Sequence, residues 1–87
     1  MEIYNYMEKA VETVIDQLLP GRKDVCKCEK CRLDIKAWAL NRLPSRYVVS
    51  NKGFLYTKLE EVNLQFRTDI VREVTKAIGY IKAHPRH

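Results

Sequence analysis

From Leu59 to Ile81 the apolar residues step forward by three or four positions: Leu59, Val62, Phe66, Ile70, Val74, Ile78, Ile81. That period is the stripe of a helix, since a strand would repeat every second residue. Thr57 and Glu60 stand three apart at its start, where a hydroxyl and a carboxylate satisfy free backbone donors. The spacing predicts one helix over 57–83. Gly79 can fray its end, and Pro85 prevents continuation. At 1.5 Å per residue it would be about 40 Å long. A helix of that length overhangs a globule of 87 residues, and its uncovered stripe predicts a homodimer, the commonest closed assembly.

Two other segments share the period. In residues 2–19, Ile3, Met7, Ala10, Val11, Val14 and Leu18 form one stripe and Glu8, Glu12 and Asp16 another; Pro20 and Gly21 stop the helix. In residues 31–43, Leu33, Ile35, Ala37, Trp38, Ala39, Leu40 and Leu43 cover most of the circumference. That coverage predicts a central, buried helix ending at Pro44, with Asp34, Lys36 and Arg42 as exceptions. Residues 45–55 read as extended: Tyr47, Val48 and Val49 favour β geometry, and Ser50 to Gly53 has a turn composition. A short hairpin with Phe54, Leu55 and Tyr56 and a crossing segment both fit. The expected class is all-α: a three-helix domain spanning 1–87, with one short extended or hairpin element and a cysteine-rich loop.

A chain this short buries only about 60–65% of its unfolded surface, so a metal, a disulfide or a second subunit commonly adds stability. Residues 21–30 offer a metal. Cys26, Cys28 and Cys31 lie within six positions, close enough for one loop to wrap a single ion. Zinc takes four tetrahedral ligands and accepts thiolates readily. An odd number of clustered thiols, in a chain with no basic-then-apolar leader and no apolar run near the ~20 residues that span a bilayer, predicts a cytoplasmic metal site rather than a disulfide framework. Arg22, Lys23, Lys27, Lys30 and Arg32 surround the sulfurs and favour the anionic form. The plain alternative is three surface thiols. For the fourth ligand, His84, His87, Asp34, a water and a partner residue are all open. His87 is preferred because it lies beyond Pro85 and turns more freely.

The net charge of +5 is unevenly placed: −3 over residues 1–19, +7 over 20–58 and +1 over 59–87. A basic middle favours an anionic partner or is a solvated face. Within it, Arg42 and Arg46 flank Pro44, and Tyr47 follows. Arginine makes bidentate phosphate contacts and stacks on bases, and tyrosine adds a flat face. With Ser50 and Gly53, the arrangement is similar to the R-x-x-x-R and D/N-x-S-x-x-G pattern by which PilZ domains hold cyclic di-GMP. It differs at Val48, where that pattern has Asp or Asn. In a helical context the likeness would be convergent, and the alternative is a helix end whose arginines face water. No nucleophile–base–orienter set or phosphate loop is present, so enzymatic activity is not expected.

The run from Cys26 to Val48 reads C-x-C-x-x-C-x-x-D-I-x-A-x-A-L-N-x-L-P-x-x-Y-V. It resembles the signature of the late-competence ComFB family, and the flanking helices extend the likeness over nearly the whole chain. The resemblance implies a small, mostly helical, dimeric protein that binds zinc through Cys26, Cys28 and Cys31 and is connected with cyclic di-GMP signalling. It would give Arg42, Arg46 and Tyr47 a purpose as ligand-binding residues. The competing expectations are a protein–protein interaction module that zinc merely stabilises, and a nucleic-acid-binding protein whose affinity falls steeply with salt.

Overall fold

The computed structural model describes residues 1–50 and 64–85. Its elements run β1 (Glu2–Asn5), α1 (Tyr6–Leu18), a 3₁₀ turn (Leu19–Gly21), α2 (Glu29–Leu40), β2 (Tyr47–Ser50) and α3 (Leu64–Ala83).

The first helix begins at Tyr6 rather than at residue 2. Asn5 is extended (φ −83°, ψ 103°), and its Oδ1 accepts from the Met7 N–H at 3.2 Å, as an N-cap does. The residues before it form β1 and pair antiparallel with β2, with Ile3 opposite Val49 and Asn5 opposite Tyr47. Asn5 Oδ1 also accepts from the Arg46 N–H at 3.0 Å, and the Tyr6 N–H donates to the Arg46 carbonyl at 2.6 Å. One asparagine thus caps α1 and anchors the entry to β2. Residues 47–50 are extended as expected, but their partner is the start of the chain; the hairpin with 54–56 lies outside the described residues. Alternation puts Ile3, Tyr47 and Val49 on one face of the sheet. They are 67, 66 and 66% exposed, so Ile3 does not join the core stripe assigned to it, whereas Tyr4 and Val48 on the other face are half-buried.

The core lies where the three helices meet. Met7, Val11, Val14 and Ile15 from α1 face Ile35 and Ala39 of α2 and Ile70, Val74 and Ile78 of α3. Each fully buried aliphatic side chain contributes about 1.5–3 kcal/mol. The expected stripe of α3 holds from Ile70 onward, with Ile70, Val74, Ile78 and Ile81 all buried. The capping pair Thr57 and Glu60, with Leu59 and Val62, lies outside the described residues. The described part of α3 has 20 residues, about 30 Å, against a longest molecular extent of 38 Å. The described part of α3 therefore does not overhang the molecule.

The expectation of a helix buried on most sides fails for α2. Its buried stripe is narrow: Cys31, Ile35 and Ala39, each one turn after the last. Leu33 is 56% exposed and Ala37 faces solvent, while Trp38, Leu40 and Leu43 pack against the edge of the core. Among the described residues the helix packs against α1 and α3, and polar contacts fill the seam with α1. Lys36 Nζ lies 3.5 Å from Glu12, and Arg32 pairs with Asp16. The chain is mostly helical, as its class predicts, with a two-stranded sheet that the all-α reading omits. Among the described residues, no helix is long and apolar enough to cross a membrane.

Candidate metal centre

The second helix starts on a cysteine. Cys28 is extended (φ −67°, ψ 162°), and its Sγ accepts from the Cys31 N–H at 3.4 Å. This puts α2 two residues earlier than its apolar period predicts, because sulfur takes the place of the usual oxygen at the N-cap. Cys31 falls on the inward side of the first turn and is 1% exposed; Cys26 and Cys28 are exposed in the loop. The three Sγ atoms all lie within 4.8 Å of one another.

These sulfurs fit a metal ion. Around zinc, with Zn–S near 2.3 Å, tetrahedral geometry places sulfurs about 3.8 Å apart, so the triad needs only a small contraction. The electrostatics split the set. The Cys31 N–H, followed by a hydrogen bond from the Cys26 thiol, lowers the Cys28 pKa. Burial, followed by the Cys28 and Cys26 sulfurs, pushes Cys31 up to about 12. Without a cation Cys31 keeps its proton; a bound metal would displace it.

The loop that carries the sulfurs is tied down at a second point. Asp24 accepts from Arg22 at 3.2 Å and from Lys82 near the end of α3 at 2.7 Å. These two cations hold the Asp24 carboxyl well below the usual carboxylate range. Val25 packs against the core beside it.

Of the fourth-ligand candidates, Asp34 pairs with Lys30 at 3.6 Å. His84 Nδ1 lies 3.0 Å from the Tyr80 carbonyl, and its ring stacks on Tyr80 with centroids 4.4 Å apart. Neither joins the sulfurs: among the described residues the group of clustered donors contains the three cysteines alone. His87 lies outside the described residues.

At the other end of α2 the basic segment divides. The Arg42 guanidinium sits 3.5 Å from the Trp38 ring centroid and donates to the Trp38 carbonyl at 3.0 Å. Trp38 stacks on Tyr80, centroids 5.7 Å apart. The buried Trp38 Nε1 finds no acceptor among the described residues. Arg46 is held through its backbone by Asn5 and Tyr6, and Tyr47 projects from the exposed face of β2. Arg42 therefore belongs to an aromatic column on α2 and α3, and Arg46 and Tyr47 to the sheet.

Residues 4–85 match the family described as late competence development protein ComFB. The chain belongs to the ComFB family. It is 25% identical over 83 residues to competence protein ComFB of Bacillus subtilis (strain 168), covering 95% of this chain and 85% of that protein. The solved structure of late competence protein ComFB from Bacillus subtilis superposes with a TM-score of 0.82 at 25% identity, covering 98% of this chain and 96% of that one. The family suggested by the Cys26–Val48 run is the right one.

Sequence reasoning missed three contributors. The Asn5 cap had a signal, since Asn5 followed by Glu8 is a helix-start pattern. Cys28 as a cap had a weak one, since the C-x-x-C spacing places two sulfurs one turn apart. The Asp24–Lys82 tie had none, because a contact between residues 58 positions apart leaves no local trace.

Proposed function

We propose that this ComFB-family protein is a zinc-stapled, homodimeric regulatory module that responds to cyclic di-GMP. The observation that carries the reading is the cysteine triad, with three sulfurs within 4.8 Å at the junction of loop and α2. Cys26, Cys28 and Cys31 would hold the ion, and His87 is the preferred fourth donor. A structural ion here pins the basic loop to the start of α2, consistent with a closed thiolate-rich site. Homodimerisation is supported by the exposed apolar face of the sheet, Ile3, Tyr47 and Val49.

Cyclic di-GMP is the ligand that best suits two exposed arginines and an exposed aromatic ring in a basic segment. Arg42 and Arg46 would meet phosphates or guanine edges, and Tyr47 would stack. The role is one of binding, not catalysis, and a cytoplasmic location suits reduced thiols and an intracellular nucleotide.

Metal analysis of the purified protein tests the zinc, with about one ion per chain expected and none in a Cys26→Ser/Cys28→Ser variant. Calorimetric titration with cyclic di-GMP tests the ligand. Binding that disappears in Arg42→Ala/Arg46→Ala supports the reading, and absence of heat at micromolar protein removes it. The alternative, a zinc-stabilised protein–protein interaction module, would then stand.

A further inference from the structure

The three sulfurs are close, yet they are not equivalent. Cys28 is exposed at the surface end of the first turn of α2, and Cys31 is buried one turn further in. Their Sγ atoms lie within 4.8 Å, and the C-x-x-C spacing lets a side-chain rotation bring them to the ~2.05 Å of a disulfide bond. Cys26 is also exposed, but one residue separates it from Cys28, and a bridge closed over so short a segment would be strained. Cys26 and Cys28 are exposed, so a small reagent reaches these sulfurs from solvent. An exposed attacking sulfur with a buried partner one turn away is an arrangement that can carry out thiol–disulfide exchange, in which a thiolate opens a disulfide and a second thiol resolves the product.

We propose that Cys28 and Cys31 form a dithiol exchange pair that takes low-molecular-weight disulfides as substrates, and that its oxidation ejects the metal. The Cys28 thiolate attacks one sulfur of the small disulfide. A mixed disulfide forms on Cys28, and one small thiolate leaves. Cys31 then attacks the Cys28 sulfur, forming the Cys28–Cys31 bond and expelling the second small thiolate, which takes the Cys31 proton where no metal has already displaced it. The two protein sulfurs give up two electrons, the small disulfide gains them, and any protons on the protein thiols pass to the departing thiolates. Only Cys26 then remains as a thiolate donor, too few to hold zinc. This inference rests on the zinc reading for the ejection step alone; the exchange chemistry belongs to the cysteines.

The experiment uses the full chain as purified, with its zinc content measured first. Oxidised glutathione is added, zinc release is followed with a chromogenic chelator, and the products are mapped by peptide mass spectrometry. The expected result is loss of two thiols per chain, a Cys28–Cys31 disulfide, and release of one zinc per disulfide formed. Cys26→Ser keeps the pair and should still form the bond. Cys31→Ser removes the resolving sulfur and should accumulate the mixed disulfide on Cys28. If Cys31→Ser does not fold, the Cys26→Ser variant and the wild-type map decide the matter. Persistence of all three thiols, a bond involving Cys26, or a mixed disulfide accumulating on Cys26 would overturn the proposal. A protein that contains no zinc but still forms the Cys28–Cys31 bond leaves the exchange pair standing and removes the zinc reading.

Discussion

The two ends of α2 are held by different means. The N-terminal end starts on the Cys28 sulfur and depends on three side chains from its own loop and first turn. The C-terminal end closes on Trp38, with Arg42 across its ring and Tyr80 of α3 stacked against it. One end is built from residues close in sequence and, with the ion proposed above, would gain its full hold only when that ion is bound. The other is built from apolar and aromatic surface brought in from a distant helix, and its hold is permanent. Between them, Ile35 and Ala39 bury the middle of the helix. A small domain can thus keep one conditional end without losing the fold, because Cys31 is the part of that end that reaches the core, and most of the core comes from Ile35, Ala39 and the facing residues of α1 and α3.

Four measurements break or sharpen this contrast. Chelating the proposed zinc is expected to have the largest effect. At a thousandfold excess over Kd, zinc contributes about 4 kcal/mol, so chelation should lower Tm by roughly 15–30 °C in a domain of this size. Amide hydrogen exchange should show the loss first around residues 22–31; a uniform loss would mean that the two ends are not separable. Next, Ile35→Ala, at the shared middle, should cost about 2–5 kcal/mol by chemical denaturation. The cost should be equal with and without zinc, and an unequal cost would reveal coupling through the helix.

Arg42→Ala should cost about 0.5–1 kcal/mol, the scale of an exposed cation–π contact, with zinc content unchanged. A fall in zinc content would break the comparison. The smallest effect is that of Asp24→Asn, which removes the tie to Lys82. The folded carboxyl titrates below the unfolded value of about 3.9. Its stabilisation is therefore present above about pH 4 and is lost as pH falls toward the depressed folded value. Thermal melts of the two proteins should differ slightly at pH 7 and converge progressively below about pH 4.

The parts legible in the sequence were those written in local period or local spacing. The stripe from Ile70 to Ile81 and the stripe from Met7 to Val14 hold because a helix repeats its facing residues every three or four positions. The sulfur cluster was legible because a short loop cannot carry its members far apart. Ile3 fell in phase with α1 by coincidence, and only its pairing with Val49 decides otherwise. α2 looked buried all round because composition counts apolar residues without showing how far neighbours will cover them; Leu33 and Ala37 stay exposed. The contact of Arg42 with the Trp38 ring, one turn earlier, was not legible because a cation–ring pair leaves no periodic trace.

The sheet also bears on the order in which the molecule assembles. The β1–β2 pairing joins residues 2–5 to 47–50 and so encloses both α1 and α2 in one loop. Closing a loop that long costs chain entropy before any strand bond forms, whereas each helix can nucleate on local contacts. The strands should therefore zip late, after the helices have met, with Asn5 as the latch. Substitutions at Ile3 or Val49 should speed unfolding while leaving the folding rate nearly untouched.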